Sequence, residues 1–142
     1  MIPEKIIIHH SLTEDSGTVS WGAIRKYHIW TKGWRDIGYH AGVELVKSGG
    51  EINYEILMGR DWFTSGAHTL GENYRSLGFC FIGNYDKIPP TTELLLKGAE
   101  LLRTWQRLFD IPTTSIYPHR DFAGYKSCPG KMFEMKDLLC LL

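Results

Sequence analysis

Leu-Gly-Phe-Cys-Phe-Ile, the stretch from Leu77 to Ile82, is apolar throughout and is followed directly by Gly83 and Asn84. A short apolar run that ends in turn-forming residues is typical of a strand buried on both faces. Such strands occupy the centre of a sheet that helices cover on both sides. The stretch therefore predicts a central strand and places the chain among the α/β folds.

Segments on both sides of this strand complete a mixed sheet. The β-branched run from Lys5 to His9 predicts a buried strand that delivers its last side chain to a site at the strand end. The segments Gly38 to Val46 and Ile52 to Met58 are separated by Lys-Ser-Gly-Gly and predict a hairpin. A short last strand is expected from Ser115 to Pro118.

Helical patterns separate these strands. The apolar spacing from Ser20 to Thr31 predicts a helix capped by Ser20. The longest helix is expected between Pro89 and Asp110, with Thr91 or Thr92 as its cap, and a short helix closes the chain. No repeat or linker interrupts the pattern, so residues 1–142 are expected to form one α/β domain with a central mixed sheet flanked by helices.

Composition excludes several classes of partner. Sixteen Lys and Arg balance sixteen Asp and Glu, so the chain lacks the excess positive charge typical of nucleic-acid binders. No stretch approaches the roughly 18 to 20 apolar residues of a membrane span. The N-terminus has no basic segment before a long apolar run, so we expect synthesis in the cytoplasm without a signal peptide. We also expect a monomer.

Six histidines and three cysteines are the first candidates for chemistry. His9 and His10 end the first predicted strand, and side chains alternate along a strand, so only one of the two can join a given site. The alternative interpretation is two ordinary histidines at a strand end.

A second cluster follows the last predicted strand. His119 and Cys128 are nine residues apart on one loop, and a thiolate with imidazoles is a ligand set that zinc prefers. Two nitrogens and one sulfur would leave the fourth tetrahedral position open, which is typical of catalytic zinc rather than structural zinc. The spacing matches neither a zinc finger nor an HExxH helix.

Seven short motifs extend this pattern over nearly the whole chain. They are Ile-Ile-His-His-Ser-Leu-Thr at 7–13, Trp-Arg-Asp-Ile-Gly-Tyr-His at 34–40, Gly-Arg-Asp at 59–61, Gly-Ala-His-Thr at 66–69, Ser-Leu-Gly-Phe at 76–79 with Gly-Asn at 83–84, Pro-His-Arg-Asp at 118–121 and Lys-Ser-Cys-Pro-Gly at 126–130. In this order the chain resembles the zinc-dependent N-acetylmuramoyl-L-alanine amidases. That family includes small phage amidases, cytoplasmic recycling amidases and peptidoglycan recognition proteins.

The resemblance implies that His9, His119 and Cys128 are the zinc ligands. It also implies that Tyr39 and Lys126 are catalytic, as donors to the negative charge that develops on the amide oxygen. Recycling-type relatives tend to carry a glutamate and another polar partner in these roles, so this pair favours the phage or autolysin branch. Activated water, Tyr39 and Lys126 all remain candidates for the group that carries the proton to the leaving amine.

Other residues carry weaker expectations. The resemblance implies that His68 lines the substrate groove, with a structural hydrogen bond as the alternative. Four aromatic residues are candidates for stacking on a sugar, with the hydrophobic core as the alternative: Trp30, Trp34, Trp62 and Phe63. Trp62 and Phe63, in the long loop from Gly59 to Tyr74, are expected to contact substrate. Structural roles are expected for His40 and Cys80, and partial exposure for His28.

The resemblance thus implies zinc-dependent hydrolysis of the amide between the N-acetylmuramoyl lactyl group and L-alanine in peptidoglycan. A phage or prophage endolysin, released through holin-made holes, or a host autolysin would act in this way. One alternative is a cytoplasmic amidase that recycles soluble anhydro-muropeptides. Another is a non-catalytic peptidoglycan-binding module, but such members typically lose the cysteine ligand, which this chain retains as Cys128.

Overall fold

The computed structural model describes residues 1–13 and 20–142. The strands are β1 (Lys5–His10), β2 (Ala41–Ser48), β3 (Glu51–Met58), β4 (Ser76–Phe81) and β5 (Ile116–Pro118). The helices are α1 (Ser20–Lys26), which continues as a π-helical segment over Tyr27–Thr31, α2 (Thr92–Phe109) and α3 (Met135–Leu139). Each strand and helix predicted from the sequence is present, with small shifts at the ends.

The five strands form one mixed sheet in the order β3-β2-β4-β1-β5. β4 lies at the centre and pairs in parallel with both β1 and β2, and β1 pairs in parallel with β5. β2 and β3 form the antiparallel hairpin. All six residues of β4 are buried, which confirms the prediction of a central strand covered on both faces.

One face of the sheet carries the larger hydrophobic core. Ile6 and Ile8 of β1 pack there with Phe79 and Phe81 of β4 and with the apolar face of α2. The hydroxyl of Thr91 accepts a hydrogen bond from the backbone N–H of Leu94 at 3.2 Å, so Thr91 caps α2, one of the two caps expected.

The opposite face packs against α1. Trp21, Ile37, Cys80 and Ile82 form a smaller buried cluster there, with Tyr39 against it. The predicted capping role of Ser20 depends on its side chain, which lies outside the described part of the chain. Within residues 1–13 and 20–142, no helix combines the length and apolar character needed to cross a bilayer.

Candidate metal centre

Two parallel strands bring the first pair of site histidines together. Ile8 of β1 pairs with Pro118 of β5, so the following residues, His9 and His119, lie side by side at the carboxyl ends of the strands. Their ring centroids are 4.4 Å apart, and both side chains are buried. His10 points to the other face of the sheet, where its Nδ1 accepts a hydrogen bond from the backbone N–H of Tyr85. This arrangement confirms the alternation predicted for the two histidines.

The loop after His119 folds back and delivers Cys128. The backbone N–H of Arg120 donates to the carbonyl oxygen of Cys128 at 2.8 Å, and its guanidinium donates to the carbonyl oxygens of Gly130 and Phe133. Sγ of Cys128 therefore lies 3.7 Å from Nδ1 of His9. One ligand atom from each of these three residues, His9, His119 and Cys128, lies within 4.8 Å of the other two.

The spacing of the donor atoms of His9 and Cys128 fits a zinc ion. Zinc–nitrogen bonds of about 2.0–2.1 Å and a zinc–sulfur bond of about 2.3 Å at a tetrahedral angle separate nitrogen from sulfur by about 3.6 Å. The separation between His9 and Cys128 is 3.7 Å. Two imidazoles and one thiolate would leave one tetrahedral position of such an ion for water or substrate.

The lowered pKa values of the two imidazoles also favour binding of a metal cation. Burial lowers the pKa of His9 well below its usual value, and the neighbouring His68 and His119 lower it further. Burial, with the charge of Lys126, lowers the pKa of His119 to about 4. Both rings are therefore uncharged at neutral pH, which is the form that binds metal.

The thiol of Cys128 responds to burial in the opposite sense. Burial raises its pKa to about 11, although the backbone N–H of His10 and the charge of Lys126 act to lower it. Without a cation the group is a thiol at neutral pH. A bound divalent ion would favour the thiolate and release its proton.

A cavity of about 540 Å³ opens onto the three ligand residues. Tyr39 and Lys126 both line it. The ring of Tyr39 lies 5.1 Å from that of His9, and burial raises the pKa of its phenol well above the usual value, with the thiols of Cys80 and Cys128 adding to the effect. Tyr39 is thus a hydrogen-bond donor at neutral pH. Lys126 is exposed at the cavity rim, beside Tyr125.

His68 also lines the cavity, and it contacts His9, one of the three candidate metal ligands, directly. Its Nδ1 atom lies 3.0 Å from Nε2 of His9 and 3.0 Å from the hydroxyl of Thr69. Its position is thus compatible with both expected roles, in the groove and in a structural hydrogen bond.

Trp62 and Phe63, which were expected to contact substrate, do not line this cavity. The loop that carries them returns to α2, where Trp62 packs edge-on against Trp105 at 5.8 Å and Phe63 packs against Phe109 at 5.6 Å. Trp62 adjoins the larger hydrophobic core, as the alternative interpretation held. Of the four aromatic candidates, Trp34 lines the cavity, whereas Trp30 is 84% exposed and does not line it.

The remaining histidines stabilise the backbone around the cavity. Nδ1 of His40 accepts from the N–H of Gly78, and its Nε2 donates to the carbonyl of Thr64, in agreement with a structural role. His28 was expected to be partly exposed but is buried, because the π-helical turn directs its ring toward Tyr39 and its Nδ1 accepts from the N–H of Gly38.

Several cavity residues were not anticipated from the sequence. They are Leu12, Lys32, Asp86 and Tyr125. Leu12 could have been found, because it lies in the motif at 7–13, and Tyr125 could have been found, because it directly precedes the motif at 126–130. Lys32 and Asp86 had no such signal, since they come from connections whose paths depend on tertiary packing.

Comparisons with known proteins agree with this architecture. The family model described as N-acetylmuramoyl-L-alanine amidase matches residues 1–131. A human N-acetylmuramoyl-L-alanine amidase is 44% identical over 110 residues, which is 76% of this chain and 18% of that protein. An endolysin of Enterobacteria phage T3 is 36% identical over 83 residues, which is 58% of this chain and 50% of that protein. The matches therefore span half or less of these curated relatives.

Solved structures share the fold. The N-acetylmuramoyl-L-alanine amidase LysC from Clostridium intestinale superposes with a TM-score of 0.81 at 26% identity, covering 98% of this chain and 84% of that one. Peptidoglycan recognition protein-LE in complex with tracheal cytotoxin gives a TM-score of 0.77 at 31% identity, covering 96% and 79%. Together with the family match over most of its length, these likenesses show that the chain belongs to the N-acetylmuramoyl-L-alanine amidase family.

Proposed function

We propose that residues 1–142 form a single, monomeric, zinc-dependent amidase domain. Its reaction would be hydrolysis of the amide that joins the lactyl group of N-acetylmuramic acid to L-alanine in peptidoglycan. The observation that carries this proposal is the convergence of His9, His119 and Cys128 beside a cavity that also contains Tyr39 and Lys126. Family membership supports the same reaction.

His9, His119 and Cys128 would hold the ion. When bound, zinc supplies a Lewis acid for the amide carbonyl and makes water a competent nucleophile at neutral pH. The buried position of the three side chains excludes bulk water from their side of the centre. The cavity is then the route by which the substrate amide and the attacking water reach the centre.

Tyr39 and Lys126 would stabilise the negative charge that develops on the amide oxygen. Because Tyr39 keeps its proton at neutral pH, its hydroxyl donates a hydrogen bond to that oxygen. Lys126 adds a positive charge from the rim. Donors of this kind act on the transition state more strongly than on the substrate, and loss of one typically lowers kcat by about 10² to 10³.

The leaving amine of L-alanine needs a proton as the carbon–nitrogen bond breaks. Tyr39 and Lys126 both line the cavity and carry protons. We propose that one of them delivers the proton directly, and the kcat values of the Tyr39→Phe and Lys126→Met variants distinguish them. The variant that lacks the donor is expected to lose the larger part of kcat.

We further propose intact cell wall as the substrate, in an endolysin or autolysin role. The Tyr39 and Lys126 pair and the similarity to a phage T3 endolysin support this assignment. A second candidate, recognition of muropeptides without hydrolysis, is favoured by the similarity to a recognition protein bound to tracheal cytotoxin. Retention of Cys128 supports the enzyme.

The test is zinc content together with activity on two substrates. The purified protein is expected to hold about one zinc per chain and to release new L-alanine amino termini from purified sacculi. Hydrolysis of soluble anhydro-muropeptides alone would instead support recycling. Tight muropeptide binding with no new amino termini from either substrate would support the recognition module and overturn the amidase.

A further inference from the structure

The ring of His68 occupies a narrow slot between two glycines. A Cβ atom at Gly66 would lie 2.5 Å from Cδ2 of His68, and one at Gly78 would lie 2.6 Å from Cδ2 and Cγ. Any other residue at these positions would displace the ring. The side chain of Asn73 anchors the backbone, because its Oδ1 accepts from the N–H groups of His68 at 2.7 Å and Thr69 at 2.9 Å.

The hydrogen-bond partners of His68 determine which of its two ring nitrogens carries the proton. Nε2 of His68 faces the carbonyl oxygen of Ser76 at 3.4 Å. A carbonyl oxygen accepts hydrogen bonds and cannot donate them, so the proton of the uncharged imidazole belongs on Nε2. Nδ1 of His68 is then an acceptor with one lone pair, and it lies 3.0 Å from the hydroxyl oxygen of Thr69.

The hydrogen-bond partners of His9 assign the proton on its ring in the same way. Nε2 of His9 lies 3.0 Å from Nδ1 of His68 and 3.4 Å from the hydroxyl oxygen of Thr69. Both of these atoms can accept a hydrogen bond, the first through the lone pair of Nδ1 and the second through the hydroxyl oxygen, so Nε2 of His9 carries the proton and donates it. Nδ1 of His9 therefore keeps its lone pair, and this is the atom that faces Sγ of Cys128 at 3.7 Å.

We propose that His68 is a positioning residue that fixes the tautomer of His9 for metal binding, with the carbonyl oxygen of Ser76 setting the order of protons. Partners that orient a metal-binding histidine are commonly carboxylates, backbone carbonyls or water. Here a second imidazole, that of His68, occupies that position. The carbonyl oxygen of Ser76 fixes the tautomer of His68, and His68 in turn fixes the tautomer of His9. The inference rests on the proposed metal centre, but the proton order can be measured without any ion.

Tautomers in the metal-free protein give the first test. Long-range proton–nitrogen NMR spectra distinguish the Nδ1–H and Nε2–H forms of each assigned histidine. At neutral pH, His9 and His68 are both expected to carry the proton on Nε2. A proton on Nδ1 of either ring would overturn the proposal, whether or not the protein is an amidase.

Zinc affinity gives the second test, measured by competition with a chromophoric chelator. His68→Leu removes the acceptor at similar bulk, and we expect the affinity for zinc to fall about 10- to 100-fold. His68→Asn retains an amide oxygen near the position of Nδ1 and should recover most of that loss. Circular dichroism establishes that each variant is folded.

His40→Leu is the matched control. His40 is another buried, uncharged histidine whose ring packs edge-on against His68 at 5.6 Å, but its hydrogen bonds go to Gly78 and Thr64. Its loss is expected to lower stability and to change zinc affinity less than about threefold. Equal losses in the Leu variants of His68 and His40 would assign His68 a merely structural role. If His68→Leu does not fold, the tautomers of the unaltered protein still decide the question.

Discussion

Nδ1 of His9 and Sγ of Cys128 lie 3.7 Å apart, although 119 positions separate the two residues in the sequence. β1 fixes the histidine, whereas the cysteine depends on a loop held by hydrogen bonds from Arg120. Because the ligands converge only in the folded chain, metal affinity and folding stability are coupled. Zinc should therefore raise the free energy of unfolding, and chelation should lower it.

Cys128→Ser is expected to remove zinc binding. A serine hydroxyl is a weaker ligand than a thiolate, so affinity should fall by at least about 100-fold and hydrolysis of sacculi should disappear. Zinc content and chelator competition measure the change. Cys80→Ala is the matched control, because Cys80 is also a buried cysteine but belongs to the core beside Trp21. Equal loss of zinc in both variants would contradict the assignment of Cys128.

Tyr39→Phe separates chemistry from metal binding. The variant keeps the ring beside His9 and loses the hydroxyl, so zinc content should not change while kcat falls about 10²- to 10³-fold. Steady-state release of L-alanine amino termini measures kcat. Tyr125→Phe controls for loss of a phenol at the same cavity, since Tyr125 is 87% exposed and should retain most activity. Unchanged kcat in Tyr39→Phe would exclude Tyr39 from the reaction.

Strand patterns in the sequence predicted those features of the site that depend on local geometry. Alternation along β1 directs His9 and His10 to opposite faces, and the structure has them so. The apolar run of β4 predicted the central strand. Such features depend on neighbours within a few residues, so sequence patterns can reveal them.

Features that depend on the path of long connections could not be predicted in this way. Trp62 and Phe63 look like groove residues in a loop sequence, but that loop packs them against α2. His28 sits in a helical pattern, and only the switch to a π-helical turn buries it. The contact between His68 and His9 joins the long loop to β1, so no local pattern in the sequence indicates it.

Glu72 gives a prediction for the pH dependence of stability. Its carboxylate accepts two hydrogen bonds from Arg75 and one from Lys5, so it ties the long loop to β1. Arg75 first, and then Lys5, lowers the pKa of Glu72 from 4.5 to about 2. Because the folded-state pKa is depressed, the stabilisation is complete above about pH 5 and is lost as the pH falls through the range from 4.5 to 2.

Glu72→Gln should therefore lower the free energy of unfolding by about 1 kcal/mol at pH 7, and by less at pH 3. Urea denaturation at the two pH values measures the difference. Glu100→Gln is the control, because Glu100 pairs with Lys97 on α2 and its side chain is 53% exposed. Its effect should stay below about 0.5 kcal/mol. If Glu72→Gln lowers the free energy of unfolding as much or more at pH 3 than at pH 7, the stabilising role assigned to the Glu72 carboxylate is contradicted.

Gly78→Ala tests the close approach of β4 to the ring of His68. The added methyl group would lie 2.6 Å from Cδ2 and Cγ of His68 inside a fully buried strand, so stability should fall by about 1–3 kcal/mol. Zinc affinity should fall with it, because a displaced His68 ring no longer holds His9. Gly22→Ala is the matched control in α1. Among residues 1–13 and 20–142, no atom outside its chain neighbours and the helix backbone lies within 4 Å of the added carbon, and helix propensity predicts a gain of up to about 1 kcal/mol. Chemical denaturation and chelator competition on both variants measure these effects. Full zinc affinity in folded Gly78→Ala would show that the ring tolerates displacement and that the slot does not position His9.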